Sequence, residues 1–451
     1  MSNKTLEEAL MAYSDPIDAL RDSSVVDNPT PDGRPRPREF TNWMDEQLSW
    51  KETCYLGDWS FMPDLHVDGP DALDLFRDLS VNTFDDFEVG KAKHAVQCTE
   101  AGNVIGDGIL YRTGPDSYRT QHLAAWPQFN AEKHGYDVTA DIHDTFIYQL
   151  QGPTSLAVLE AVTDDTVRDI DFMYIEEVDI GGADVVVLRQ GMSGEVGFEI
   201  QGPREHADDV WETLVEAGRD HGLRQLGHRT HMINHLLMSF STRGHHYLPA
   251  IFGDEMKEYR EWLAADNAAE AKFTLAGSFD GDDISAWYRT PVELGWTRNI
   301  AFDHDFVGRD ALEEEVADPQ RTTVTLVWDS EDVVDVYRSL FETGDHYKFM
   351  EMPYQHYRAI EADSVVRDGE EVGVSTGRGY SYYFREMLSL CTIDVEYSEP
   401  GTEVTVVWGE GGDPSNPKIK AHEQKEIEAT VAQAPYKEDN RRTDLQAVAT
   451  D

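Results

Sequence analysis

The chain has 451 residues, 40% of them hydrophobic and 10% aromatic, which is enough for two or three folded domains and excludes a disordered protein. Asp and Glu number 87 against 38 Lys and Arg, a formal charge of −49, and so acidic a chain offers no basic footprint for nucleic acid. Cys54, Cys98 and Cys391 are too far apart for a thiolate zinc site or a disulfide framework, and no apolar run is long enough to span a membrane. The start, MSNKTLEEALMAYSDPIDAL, has no apolar signal core, so a soluble cytoplasmic protein is expected. The acids are spread along the whole length and Lys is scarce beside Arg, as in halophilic proteins. At molar salt the repulsion between such charges is screened within about 3 Å.

Residues 1–22 read as a short helix, followed by the extended Pro-rich link DNPTPDGRPRPREF. A helical stretch, NWMDEQLSWKET, leads to a strand, LHVDGPD, and a helix opening near Pro70. Short β-rich runs follow: AVQCT, NVIGDGILYR and SYRTQHLA. The strand, Gly-Pro turn and helix of LHVDGPDALDLFRDL return in TFIYQLQGPTSLAVLEAV and again in EVGFEIQGPREHADDVWETLVEAG, as related α+β units around one site. FVGRDALEEE is another turn into a helix. RTTVTLVW, SVVRDGEEVGVST, MLSLCTIDVEY and TEVTVVW then alternate as strands of a small barrel or jelly roll. The predicted division is 1–37 (helix and linker), 38–319 (two α+β subdomains), 320–436 (β-barrel) and 437–451 (a polar, frayed tail).

The ordered strings NVIGDGILYR, QLQGPTSLAVLE, GMSGEVGFEIQGP, GLRQLGHRT, TPVELGW and FDHDFVGRDAL resemble the aminomethyltransferase (glycine-cleavage T-protein) superfamily. EFTNWMDEQLSWKET, YREWL and the run from MLSLCTIDVEY to ATVAQAPY are similar to its vanillate/3-O-methylgallate O-demethylase branch. The resemblance implies an α+β, three-domain fold whose central channel admits tetrahydrofolate as co-substrate. The implied reaction is transfer of a methyl group from a small donor, an aryl methyl ether such as vanillate, to N5 of the folate. Donors such as dimethylsulfoniopropionate, methylated glycines or an aminomethyl carrier stay open. So do a non-catalytic folate-binding protein and a metallohydrolase built on the histidines, although no H-E-x-x-H string is present and no metal is expected.

In-line methyl transfer needs a close, unprotonated acceptor amine and a stabilised leaving oxygen. Asp107, between Gly106 and Gly108, reads by itself as a turn residue; the resemblance places it beside the reacting folate nitrogens. Glu199 in GFEI either faces solvent or, as the resemblance implies, binds the pterin. Arg229 in GHRT is a carboxylate clamp or a structural ion pair. Gln151, Gly277 and Ser278 are further folate-lining candidates by resemblance. On the leaving-group side the chain departs from the O-demethylase pattern. SFMPDLHV has no histidine before His66, His231 stands where a tyrosine is expected, and Arg119 is one place from the expected arginine, hence on the opposite strand face. His228, His231 and His235 share one face if helical, and His245, His246 and Tyr247 follow. The candidate acids are therefore His231, His66, His246 and Tyr247. The oligomeric state is not legible.

Overall fold

A computed structural model of the chain describes residues 25–29, 35–263, 274–281, 283–354, 359–411, 414 and 419–449. The helix expected over residues 1–22 lies outside the described residues. The first elements are β1 (Val25–Pro29), β2 (Pro35–Glu39), α1 (Trp43–Glu52), β3 (Cys54–Asp58), β4 (Asp64–Asp68), α2 (Ala72–Leu79), β5 (Ala92–Cys98), β6 (Val104–Arg112), β7 (Ser117–Gln121), α3 (Ala125–His134) and β8 (Thr139–His143). The middle of the chain forms β9 (Thr145–Gln151), α4 (Ser155–Val162), β10 (Ile175–Ile180), β11 (Ala183–Arg189), β12 (Gly197–Pro203), α5 (Ala207–Gly218), β13 (Leu223–Leu226), α6 (His231–Leu237), α7 (Lys257–Trp262) and β14 (Thr274–Ala276). The last part forms α8 (Arg309–Ala317), β15 (Arg321–Trp328), α9 (Ser330–Ser339), β16 (Ala359–Arg367), β17 (Glu370–Ser381), β18 (Glu386–Asp394), β19 (Glu403–Trp408) and β20 (Lys425–Ala432).

One sheet has the order β10-β11-β12-β9-β3-β13 and a second β5-β6-β7-β4-β8. The third runs β14-β16-β17-β18-β15-β20-β19, and β19 pairs back onto β16, closing a six-stranded barrel. Burial follows strand chemistry. TFIYQLQ of β9 lies between two neighbours and is buried from Phe146 to Gln151, whereas β20 at KEIEATVA buries Ile427, Ala429 and Val431 and exposes the residues between. The barrel strands expected from alternation are present. β3 is not among the expected strands: CYLGD is too short and too uniformly buried to show a period of two.

The three Gly-Pro units are β4 into α2, β9 into α4, and β12 into α5. Gly152 shows why the turn recurs: its φ is +130°, and a Cβ there would lie 2.4 Å from the Thr53 carbonyl oxygen. The first sheet, α6 and the barrel meet on Trp50, Tyr55, Trp59, Ile147, Leu236 and Leu388, so the ends of β3 and α6 are held by close packing where the cavity opens.

Residues 437–449 pack back on the fold, correcting the expected frayed tail. Buried Lys437 donates to Glu195 at 2.5 Å and Leu445 completes the core of the first sheet. Among the described residues no helix is long and apolar enough to cross a membrane.

Candidate active site

A cavity of about 2360 Å³ opens between the first two sheets and α6. Glu199 forms one part of its wall. On β12 it stands directly opposite Gln149 of β9, and Oε1 accepts from Gln149 Nε2 at 3.2 Å and Gln190 Nε2 at 2.8 Å. Tyr111, from the second sheet, donates to Oε2 at 3.3 Å. Burial pushes this carboxyl up, and the three donors offset part of the rise. A carboxylate with an acceptor position to spare, ringed by amides, suits a ligand edge rich in N–H groups.

Asp107 lies on β6, one diagonal step from His94 on β5, since Val96 pairs with Asp107 and His94 with Ile109. His94 Nε2 sits 2.8 Å from Asp107 Oδ2, and Tyr247 donates to Oδ1 at 2.6 Å. Asn299 Nδ2 lies 3.0 Å from the other His94 nitrogen, Nδ1, and the ring packs its edge on Trp296. Burial alone would raise the Asp107 carboxyl, but His94, His122 and Tyr247 together hold it below the usual carboxylate range. Gly108 beside it is a packing requirement, because a Cβ there would come within 2.1 Å of the Gln121 carbonyl oxygen.

The remaining wall carries histidines. His228, His231, His235 and His245 line the cavity; the helix begins at His231, so His228 belongs to the turn before it. His231 sits edge-on to Trp59 and Tyr354, facing the segment 59–63 that also lines the cavity. Thr242 Oγ1 donates to the Phe240 carbonyl at 3.1 Å, so it can only accept from His235 Nδ1–H at 3.1 Å. His235 Nε2 is then a bare acceptor buried within the wall, and burial lowers this imidazole to about 3, keeping it neutral.

The structure relocates several candidates. His66 stacks on His143 and pairs with Asp64 outside the cavity lining; Arg119 is spent on Asp64 at 2.6 Å. His246 faces a separate cavity of about 30 Å³ beside Gly377 and Arg378, and burial lowers it to about 3. Tyr247 lies behind the wall, packed edge-to-face with Trp296, and its proton is committed to Asp107. Arg229 is outside the cavity lining, bonded to Glu39 at 2.6 Å and to the Met352 carbonyl. Gln151 lies behind the wall, accepting from Tyr55 and from the Met192 and Ser193 amides. Gly277 and Ser278 follow β14, which joins the barrel sheet, and bond to Glu410, Asp363 and Val407 there, away from the cavity. His94, Asn299, Gln149, Gln190 and Trp296 are wall residues absent from the candidates read in the sequence. Among the described residues no group of three or more His, Cys, Asp or Glu side chains is placed to hold a metal ion.

A deep cavity between two related α+β units, with buried carboxylates on its wall, suits a polar ligand rich in N–H groups. The comparisons with known proteins give the family. The GCVT N-terminal domain family matches residues 28–251. The chain is 35% identical over 449 residues to a syringate O-demethylase of a Sphingobium species, covering 96% of both chains. It is 35% identical over 416 residues to a sesamin methylene transferase of a Sinomonas species, covering 89% of this chain and 90% of that one. The aminomethyltransferase of the glycine cleavage system from Bartonella henselae shares the fold, with a TM-score of 0.66 at 17% identity over 93% of this chain and 96% of that one. The chain therefore belongs to the aminomethyltransferase (T-protein) family and is a tetrahydrofolate-dependent one-carbon transferase. The wall fits that co-substrate. Besides Glu199, Gln149 and Gln190, the side chains of Gln121 and His235 line the cavity, with Gln121 Nε2 and His235 Nε2 buried and without a hydrogen-bond partner among the described residues.

Proposed function

We propose that the chain demethylates an aryl methyl ether, vanillate first among the candidates, and delivers the methyl group to N5 of tetrahydrofolate. One observation carries this reading: a single cavity is lined both by Asp107 and Glu199 and by segment 59–63 facing His231. The 35% identity to a syringate O-demethylase over nearly the whole chain supports it. The formal charge of −49 supports a cytoplasmic enzyme working at high salt.

When bound, tetrahydrofolate supplies a secondary amine whose lone pair takes the methyl group as the donor's C–O bond breaks. Glu199, with Gln149 and Gln190 fixing its carboxylate, holds the pterin edge. Asp107 stands at the acceptor nitrogen as a carboxylate and stabilises the positive charge that grows there. His231 protonates the departing oxygen. A positioned acid is worth about 10²–10⁴-fold in rate. His246 and Tyr247 do not take that role, the one because it faces another cavity, the other because its proton serves Asp107.

The test is a donor panel with tetrahydrofolate: vanillate, syringate, an aryl methylenedioxy compound, dimethylsulfoniopropionate and dimethylglycine, read by chromatography of the folate product. Methyltetrahydrofolate from vanillate or syringate is expected. Turnover of dimethylsulfoniopropionate or dimethylglycine alone would refute the aryl ether assignment. A second reading, methylene transfer from a methylenedioxy ring, is favoured by the identity to the sesamin methylene transferase and would give methylenetetrahydrofolate in the same assay.

A further inference from the structure

We infer that His94, held by Asn299 as the neutral Nε2–H tautomer, is a positioning residue that keeps Asp107 an aimed carboxylate throughout methyl transfer. The inference rests on the role proposed above for Asp107.

The argument starts from donors and acceptors. An ionised carboxylate only accepts, so the nitrogen 2.8 Å from Asp107 Oδ2 carries the hydrogen. A neutral imidazole then has a bare Nδ1, and Asn299 Nδ2 is placed 3.0 Å away to donate to it. The amide thus occupies the one position where a second proton would sit and disfavours the imidazolium. The Trp296 ring, edge-to-face with centroids 4.9 Å apart, and the hydrogen bond from Asn82 Nδ2 to the His94 carbonyl fix the ring and its backbone. Tyr247 occupies Oδ1, so both carboxylate oxygens are oriented from behind. The other titratable and charged groups around the dyad include His122, His235, Arg243 beside Gly106, Arg298 in the turn that carries Asn299, and Lys93.

The chemistry explains why neutrality matters. As the bond from methyl to the acceptor nitrogen forms and the donor's C–O bond breaks, the departing oxygen takes its proton from His231, and the methylated nitrogen must then lose its own. Asp107 takes that proton once the methyl group has moved, and solvent returns a proton to His231 for the next turnover. A neutral His94 orients Asp107 without cancelling its charge. An imidazolium at the same distance would pair with the carboxylate and weaken it as a base.

Asn299→Asp is the decisive variant, because a second carboxylate on Nδ1 stabilises the imidazolium. With histidine-selective ¹⁵N labelling, and His94 assigned from its absence in His94→Gln, wild-type His94 is expected to show a protonated Nε2 and an unprotonated Nδ1 at neutral pH. In Asn299→Asp both ring nitrogens are expected to carry a proton at that pH. The acid limb of the kcat profile moves to higher pH with that change, a shift that a purely structural role would not produce. His94→Gln keeps a donor to Asp107 and is expected to lose less than about tenfold in kcat, whereas His94→Leu loses about a hundredfold with folate affinity unchanged. A proton on Nδ1 in the wild type, or an Asn299→Asp profile superimposable on wild type, would overturn the inference. Absence of turnover with every donor would count against the proposed reaction alone, and the resonance measurement would still decide the state of His94.

Discussion

Glu199→Gln separates a binding role from a structural one. In the folded chain Oε1 of Glu199 already accepts from Gln149 and Gln190, and Oε2 accepts one long bond, 3.3 Å, from Tyr111. A carboxylate offers about four acceptor positions, so roughly one remains for a ligand N–H. A glutamine can keep its oxygen on the two amides and turn its NH₂ toward the Tyr111 oxygen, but it then presents a donor where the ligand also has one. Loss of one hydrogen bond to a charged acceptor costs about 1.5–3 kcal/mol, or about 10- to 100-fold in tetrahydrofolate affinity. Stability moves the other way. Burial raises the folded-state pKa of Glu199 above its unfolded value, so the folded chain loses stability as pH rises through that interval. The glutamine carries no such penalty. The variant's Tm is expected to match or exceed wild type at neutral pH, with the difference vanishing as pH falls below the ordinary carboxylate value. The assay is a fluorescence titration, since Trp59 and Trp296 line the cavity, paired with melting curves at two pH values. Affinity within twofold of wild type would remove Glu199 from the folate site. A large loss of Tm would make it a structural residue.

Lys437→Ala leaves Glu195 buried with only Asn440 as a polar partner, and is expected to cost about 3–5 kcal/mol in denaturant unfolding, most of it recovered in the Lys437→Met, Glu195→Gln pair. Equal stability of the single variant would show that the tail does not pack as described. The surface charge of −49 predicts a Tm that rises steeply from low to molar KCl as repulsion is screened; a Tm independent of salt would refute the halophilic reading. His231→Phe keeps the ring packing on Trp59 and Tyr354 and is expected to lower kcat about a hundredfold with folate affinity unchanged, which product formation under saturating folate would check.

The elements read correctly in the sequence were those whose signal is local. The Gly-Pro turns announced themselves because Gly152 must take a φ of +130° against the Thr53 carbonyl, and only glycine fits there. The barrel strands carried their alternation in plain sight. What escaped was set by tertiary contact. Glu46 looks like a solvated helix residue, yet it is fully buried, accepting from the Phe40, Thr41 and Gly227 amides and from Thr230 to tie α1 to the entrance of α6. No periodicity marks a carboxylate that spends itself on backbone amides of distant segments.

The site residues divide along the same line. Asp107 and Glu199 sit inside strings whose flanking glycines and strand pattern place them, and both reach the cavity wall. Arg229 lies in such a string, and Gly277 and Ser278 in a weaker one, yet their partners belong to residue 39, the loop at 352 and the barrel, none of which is near in sequence. A local string fixes a backbone; it does not say what a long side chain will meet. His94 is the instructive intermediate. Its pairing with Asp107 was hidden, because the hairpin of β5 and β6 slips by one residue between Gln97 and Cys98 before setting 96 opposite 107 and 94 opposite 109. Residues 94 and 107 then fall on one face, diagonal neighbours within reach of an imidazole. Finding them required treating the two strands as one hairpin, with register as the quantity to solve for. The chemistry of this wall was written across two strands and readable from neither alone.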